Sequence, residues 1–329
     1  MNIFLAFGLI IAGIVCLYFG GDYLIDNAAK LARHFGVSTL FIGLTVVAFG
    51  TSAPELAAAL TAAFQNADDL VMGNIIGSNI ANLALVMGVA ALIYPLATTK
   101  SFVRREVPFM IGTSLLLLVL TFGAGEDGLA RINRLEGLLL FGLLVGYVVV
   151  LLRSDEQSEI EATASELEEV EDEGVARPLI FAAVGAVLLV AGAQLLVGGA
   201  TGLARAAGIS ERVIGITLVA VGTSLPELAA SVAAALKKEG DIILGNLVGS
   251  NIFNVLSIIG ITSMVVPLNV PPEFYSPDFW TMIGVSVIVA IFLTLRLKFT
   301  RIEGLIVLAI YAVYIGYITL GVLSGGANF

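Results

Sequence analysis

Two hexapeptides decide how this sequence folds: Gly50-Thr51-Ser52-Ala53-Pro54-Glu55 and, 172 residues later, Gly222-Thr223-Ser224-Leu225-Pro226-Glu227. The blocks around them repeat as well. Residues 42–82 align without gaps on residues 214–254, and 23 of the 41 pairs are identical. Chance similarity between apolar stretches matches Ala, Leu and Val, but it does not reproduce two Glu, two Pro and six Asn at fixed spacing. The chain therefore contains an internal duplication.

The rest of the sequence is typical of a helical membrane protein. Of its 329 residues, 58% are hydrophobic and 13% charged, with a mean hydropathy of +1.02, whereas a soluble domain has about 25% charged residues. A bilayer-crossing helix needs about 20 mostly apolar residues. Ten segments qualify: 2–20, 38–64, 70–95, 106–124, 135–152, 178–198, 211–236, 241–267, 278–295 and 302–323.

The composition excludes several classes of function. Cysteine and histidine occur once each, as Cys16 and His34, which excludes a disulfide scaffold, a zinc site and a Ser/His or Cys/His catalytic pair. An intramembrane hydrolase with Ser52 or Ser224 as nucleophile lacks a base, because His34 lies outside the repeated blocks. We therefore do not expect an enzyme. Basic residues form no cluster larger than two, so nucleic-acid binding has no support.

The duplication predicts the architecture. Each half holds five spans, and because five is odd the second copy enters the membrane from the opposite side. We expect an all-α polytopic membrane protein of ten transmembrane helices in two inverted five-helix repeats. The first half covers residues 1–152 and the second residues 178–329, with the repeated blocks at about 38–95 and 211–267. Inverted repeats with Pro- and Gly-interrupted helices are typical of secondary transporters.

Charge predicts the orientation. With the N-terminus outside, the inward loops hold 12 Lys and Arg and the outward loops hold four, as the positive-inside rule requires. Both termini are then outside a plasma membrane, and the linker at 153–177 is cytoplasmic. Ten of the 26 acids lie between Asp155 and Glu173, and they account for the net charge of −10. We interpret this run as a solvated tether, with Ca²⁺ sensing as the alternative.

Glu55 and Glu227 are the predicted centre of a cation site. An ionisable group within a span is costly and therefore functional by default, and two like charges need a mobile cation or a proton between them. Proline lacks an N–H and frees the carbonyl four residues back. The other oxygen donors are the hydroxyls and amides of Thr51, Ser52, Thr223, Ser224, Ser78, Asn82, Ser250 and Asn254. An all-oxygen set suits hard cations such as Ca²⁺.

Other residues of the repeated blocks are predicted to have structural roles. The glycines at 73, 77, 245 and 249 fit close helix packing. Asn74, Asn79, Asn246 and Asn251 are read as hydrogen-bond links between helices in preference to cation ligands.

The doubled G-T-S-x-P-E and G-N-x-x-G-S-N motifs resemble the two alpha-repeats of the calcium:cation antiporter superfamily, in its sodium/calcium exchanger branch of prokaryotic type. The resemblance implies ten helices in two inverted halves and Ca²⁺ extrusion driven by Na⁺ entry. It implies that Glu55 and Glu227 bind both ions, and that Thr51 and Thr223 offer backbone carbonyls to Ca²⁺. Flanking Na⁺ sites would use Ser52, Ser224, Ser78, Ser250 and the carbonyls of Ala48 and Ala220. Asn82 and Asn254 match the position four residues after each serine; some relatives carry Asp at the second.

The predicted function is an electrogenic Na⁺/Ca²⁺ antiporter that works by alternating access. The alternative is a Ca²⁺/H⁺ antiporter, since a buried Glu can carry a proton, and a passive channel is a third reading. Ca²⁺ and Na⁺ are substrates, so we expect no cofactor. The bilayer is the expected surrounding, and no obligate protein partner is evident.

Overall fold

The computed structural model describes residues 3–121, 130–162, 174–207, 222–270 and 277–323. Their helices are α1 Ile3–Phe35, α2 Thr39–Phe64, α3 Asp68–Ile93, α4 Lys100–Leu120, α5 Arg134–Ala162, α6 Ala176–Ala206, α7 Leu225–Leu236, α8 Gly240–Val265, α9 Asp278–Arg296 and α10 Arg301–Leu323. Four short strands connect them: β1 Leu96–Ala97, β2 Ala130–Ile132, β3 Leu268–Val270 and β4 Lys298–Phe299.

Eight of these helices are long and apolar enough to cross a membrane. The exceptions are α4, which carries Lys100, Arg104, Arg105 and Glu106 within its first seven residues, and α7, of which only 12 residues are described. The predicted span at 211–236 therefore lies partly outside the described residues. The other predicted spans coincide with helices to within a few residues at most ends.

The first helix is much longer than predicted. The sequence indicated a span at 2–20, but α1 continues to Phe35, so Lys30 and Arg33 lie on a helix and not in a loop. Asp22 and Asp26 are one turn apart on α1, and both form ion pairs with Lys237 at the end of α7, at 2.5 Å. Burial lowers the pKa of Lys237, but its hydrogen bonds with the two carboxylates outweigh this effect and raise the pKa.

The core centres on α3 and α8, and the apolar middle of α8 is wholly buried. α1 and α6 pack along each other at one side and expose their outer faces. Their backbones nearly touch, because a Cβ added to Gly13 or Gly20 would lie 2.7–2.9 Å from backbone atoms of α6. Small residues permit such approach between membrane helices.

Contacts between the two halves of the chain occur in reciprocal pairs. β1 pairs with β4, and β3 pairs with β2, both antiparallel. Arg301 donates to the carbonyls of Leu92 and Ile93 at the end of α3, at 2.9 and 3.3 Å. Arg134 donates to the carbonyl of Val265 at the end of α8, at 3.5 Å. Each half therefore caps the central helix of the other.

Candidate cation-binding site

The two predicted carboxylates lie in the core, one from each half. Glu55 is 1% exposed on α2, and Glu227 is 0% exposed in the first turn of α7. The Ser52 hydroxyl donates to Oε1 of Glu227 at 3.3 Å, so the two hexapeptides are in contact. Glu55 and Glu227 are near enough for their charges to repel each other. Among the described residues, neither has a Lys or Arg partner.

The backbone around these carboxylates differs between the halves. The sequence predicted that proline breaks both helices. That is wrong for Pro54, since α2 continues through it, whereas Pro226 lies at the start of α7 after a turn at Thr223 and Ser224. Pro54 still lacks an N–H, so the Gly50 carbonyl loses its usual helical donor. A π-helical turn at Gly43–Val47 precedes it.

Hydroxyl and amide groups of the four motifs bring the halves together. The Thr51 hydroxyl donates to the carbonyl of Ala48 at 3.3 Å and is 3.2 Å from Oδ1 of Asn246. The hydroxyl of Ser224 is 3.5 Å from that of Ser78. Each of the links to Asn246 and Ser78 joins a residue of one repeat to a residue of the other.

Four asparagines form a cluster between α3 and α8. The side-chain amide of Asn79 donates to the carbonyl of Asn251 at 3.4 Å, and that of Asn251 donates to the carbonyl of Asn79 at 3.1 Å. Asn82 donates to Oδ1 of Asn251 at 3.1 Å, and Asn254 donates to Oδ1 of Asn79 at 2.9 Å. The reading of Asn79 and Asn251 as links between helices is confirmed. A π-helical turn begins at Asn82 and another at Asn254, and such turns are frequent at functional sites.

The remaining oxygen atoms of this region are buried without a partner. Within the part of the chain that the structure describes, no hydrogen bond reaches either carboxylate oxygen of Glu55, Oε2 of Glu227, Oδ1 of Asn82 or Asn254, or the hydroxyl of Ser250. Buried polar atoms without partners are rare, and each calls for an explanation. Carboxylate, amide and hydroxyl oxygens are the ligands that Ca²⁺ takes in sets of 6–8. These buried oxygens are therefore suited to be the ligands of a hard cation.

Eleven of the twelve predicted site residues are described. Ten are buried: Ala48, Thr51, Ser52, Glu55, Ser78, Asn82, Ser224, Glu227, Ser250 and Asn254. Thr223 is half-buried and engaged in an interaction, and Ala220 lies outside the described residues. The predicted packing role holds for Gly245 and Gly249, which contact the backbone of α2, but it is wrong for Gly77, where an added Cβ would meet nothing within 4 Å.

A third buried carboxylate was not predicted from the sequence. Glu106, the seventh residue of α4, is 0% exposed. Its Oε2 accepts from the Tyr147 hydroxyl at 2.5 Å, and Arg105 contacts its other oxygen. An acidic residue recurs 172 positions later as Asp278, which accepts from Tyr314 at 2.7 Å, but this recurrence alone does not predict the burial of Glu106. Glu106 is thus fully paired, unlike Glu55.

The helical bundle and its buried oxygen cluster define a multi-pass membrane protein of the cation-exchanger class. The sequence model described as "Sodium/calcium exchanger protein" matches residues 5–153 and 178–320. The chain belongs to the sodium/calcium exchanger family.

Named relatives are similar over nearly their whole length. The inner membrane protein YrbG of Escherichia coli is 35% identical over 87% of this chain and 88% of its own. The sodium/calcium exchanger MaX1 of Methanosarcina acetivorans is 33% identical over 94% and 97%. A solved structure of the sodium-calcium exchanger NCX_Mj, soaked with 10 mM Na⁺ and 10 mM Sr²⁺, has a TM-score of 0.81 at 31% identity and covers 96% of this chain and 99% of that one.

Proposed function

We propose that this protein is a Na⁺/Ca²⁺ antiporter that extrudes Ca²⁺ by alternating access, with its ions bound between Glu55 and Glu227. The observation that carries the proposal is the cluster of unpartnered buried oxygens around these two mutually repelling carboxylates. Since no Lys or Arg of the described ranges pairs with either carboxylate, a bound cation supplies the missing charge. Membership of the sodium/calcium exchanger family and the likeness to NCX_Mj support the choice of Na⁺ and Ca²⁺.

The charge of the site favours electrogenic exchange. Two carboxylates carry −2, which one Ca²⁺ or two Na⁺ balance. Serine hydroxyls and the carbonyls of Ala48 and Ala220 offer further oxygens for a third Na⁺. Exchange of three Na⁺ for one Ca²⁺ moves one net charge, so voltage drives it. No cofactor or obligate partner protein takes part.

The proposed architecture is ten transmembrane helices in two inverted halves, 1–152 and 178–329, joined by the acidic linker 153–177. The reciprocal strand pairs, the Arg134 and Arg301 caps and the asparagine cluster support it, because a two-fold relation between the halves repeats each of these contacts at the equivalent positions. We place both termini outside the plasma membrane and the linker in the cytoplasm, on the distribution of Lys and Arg.

The deciding experiment is uptake of ⁴⁵Ca by proteoliposomes loaded with Na⁺ and diluted into Na⁺-free buffer. We expect saturable uptake that stops when the Na⁺ gradient is dissipated. Uptake should rise when the inside of the vesicle is made electrically positive, because exchange removes one positive charge from the inside in each cycle. Glu55→Gln and Glu227→Gln should abolish uptake, since losing one partner of a buried charge interaction costs about 2–5 kcal/mol. Asp69→Asn, at an exposed position, is the matched control.

Two outcomes would contradict the proposal. Uptake driven equally well by a pH gradient without Na⁺ indicates the Ca²⁺/H⁺ antiporter. Uptake that needs no counter-ion and does not saturate indicates a channel.

A further inference from the structure

In the asparagine cluster, hydrogen bonds to backbone carbonyls determine which way the side-chain amides of Asn79 and Asn251 point. A backbone carbonyl only accepts hydrogen bonds. The bonds from Asn251 to the Asn79 carbonyl and from Asn79 to the Asn251 carbonyl must therefore come from the NH₂ ends of both side chains. Each side chain then directs its Oδ1 the other way, where it can only accept.

These two acceptors fix the orientation of two further amides. Oδ1 of Asn251 accepts from Asn82 at 3.1 Å, and Oδ1 of Asn79 accepts from Asn254 at 2.9 Å. With their NH₂ ends held, Asn82 and Asn254 present Oδ1 on the opposite side. Both of these oxygens are buried, and neither has a hydrogen-bond partner among the residues that the structure describes. In one half of the cluster the backbone carbonyl of Asn79 orients Asn251, which orients Asn82. In the other half the backbone carbonyl of Asn251 orients Asn79, which orients Asn254.

An amide side chain is a good cation ligand in only one of its two orientations. The oxygen end attracts a cation, whereas the NH₂ end carries two donor protons and repels it. The two orientations occupy nearly the same volume, so packing alone does not choose between them. A site that uses Asn as a ligand therefore needs a neighbouring group that fixes the amide with its oxygen toward the cation.

We propose that Asn79 and Asn251 are positioning residues that hold Asn254 and Asn82 with their carbonyl oxygens toward the transported ion. The inference rests on the proposed function and adds residues that do not themselves contact the ion. Each positioning residue acts on an amide from the opposite repeat.

The test uses the fact that a carboxylate has oxygen at both ends and needs no orienting. Asn251→Ala frees the Asn82 amide, and we expect the Ca²⁺ concentration for half-maximal Na⁺-driven uptake to rise about tenfold, the change expected when one net hydrogen bond to the bound state is lost. In the N82D background the same Asn251→Ala change should cause no such rise. It should improve uptake, because Oδ1 of Asn251 would otherwise face a carboxylate oxygen.

The pairing provides a matched control. N254D should not rescue Asn251→Ala, because Asn254 bonds to Asn79 and not to Asn251. The mirror set, Asn79→Ala with N254D as the rescuing background and N82D as the control, repeats the test on the other half. Ser263→Ala removes a buried hydroxyl whose hydrogen bonds, within the described part of the chain, stay on α8, and it should leave half-saturation unchanged.

The results separate this inference from the proposed function. If the wild-type protein shows no Na⁺-driven Ca²⁺ uptake, the proposed function fails. If the wild type transports but folded Asn251→Ala and Asn79→Ala keep their half-saturation within twofold, the positioning role is wrong. Rescue by either aspartate without regard to pairing also overturns it. So does failure of both alanine variants to elute as folded protein, since the bonds would then hold the helices together.

Discussion

Replacing Gly249 by alanine tests whether the close contact between α8 and α2 sets the geometry of the site. A Cβ at this position would lie 2.8 Å from the Leu44 carbonyl oxygen, 2.9 Å from the Leu44 Cα and 3.0 Å from the Ala48 Cβ. These neighbours are backbone atoms or the first side-chain carbon. No flexible side chain can turn aside, so the helices themselves must move apart.

The required movement exceeds what a calcium site tolerates. An ordinary contact begins at 3.4 Å, so α2 and α8 must separate by about 0.6 Å, an overpacking strain of about 1–3 kcal/mol. Ser250 follows directly on α8, and the carbonyl of Ala48 lies on α2. Ca²⁺–oxygen distances span only about 2.3–2.6 Å. A displacement of about 0.6 Å is about twice the width of that range, so the displaced oxygen no longer binds the ion. We expect the Ca²⁺ concentration for half-saturation to rise at least about tenfold, which corresponds to about 1.4 kcal/mol.

The assay compares two glycines that differ only in their surroundings. Gly142 on α5 is exposed, and an added Cβ would meet nothing within 4 Å. Gly142→Ala should leave transport unchanged and stabilise the helix by up to about 1 kcal/mol, because Ala is the better helix former. Melting in detergent and ⁴⁵Ca uptake in proteoliposomes are measured for both variants.

Equal behaviour of the two variants would refute the reasoning. If Gly249→Ala melts and transports like Gly142→Ala, then the contact with α2 is not tight in the working protein. If Gly249→Ala melts earlier but keeps its Ca²⁺ half-saturation, the contact stabilises the fold without setting the site.

Three further predictions follow from the described contacts. Tyr147→Phe removes the donor to the buried carboxylate of Glu106 and should cost about 1.5–3 kcal/mol of stability, whereas the exposed Tyr18→Phe should cost nothing in the same melting assay. Lys237→Met breaks two partly exposed ion pairs and should lower the free energy of unfolding by about 0.2–1 kcal/mol for each. In a denaturation series this loss should be smaller at high salt, and a loss that does not depend on salt would contradict the electrostatic cause. Ca²⁺ at about 100 times its dissociation constant should stabilise the wild type by about 2.7 kcal/mol, and Glu55→Gln should lose this shift.

Hydropathy predicted the positions of most helices, but it gave the wrong end for the first one. Hydropathy ended the first span at residue 20 because Asp22 and Asp26 follow. The helix continues because those two carboxylates share one face and meet Lys237, while Leu24 and Ile25 on another face are buried. A partner more than 200 residues away cannot be read from a local window.

The site was predictable in its residue types but not in its bonding. The isolation of Glu55 and Glu227 from basic residues and the doubled motif were visible in the sequence. The burial of Glu106 was not, because its compensating Tyr147 lies on another helix, 41 residues away. The break expected at Pro54 also failed, since a helix surrounded by neighbours tolerates one lost hydrogen bond that an isolated helix does not.

The two halves of the site are related but not interchangeable. Asn246 donates to Ser231 at 3.4 Å. The equivalent Asn74 has Ala59 at the position of that serine, and its buried NH₂ has no partner in the described ranges. Glu227 lies in the first turn of α7, where the helix dipole favours a negative charge, whereas Glu55 lies within α2. In the proposed site, a cation would therefore meet one carboxylate that the helix N-terminus already stabilises and one that depends on the ion. On this reasoning we predict that Glu55 contributes more of the binding free energy than Glu227, although the two sequence motifs are nearly identical.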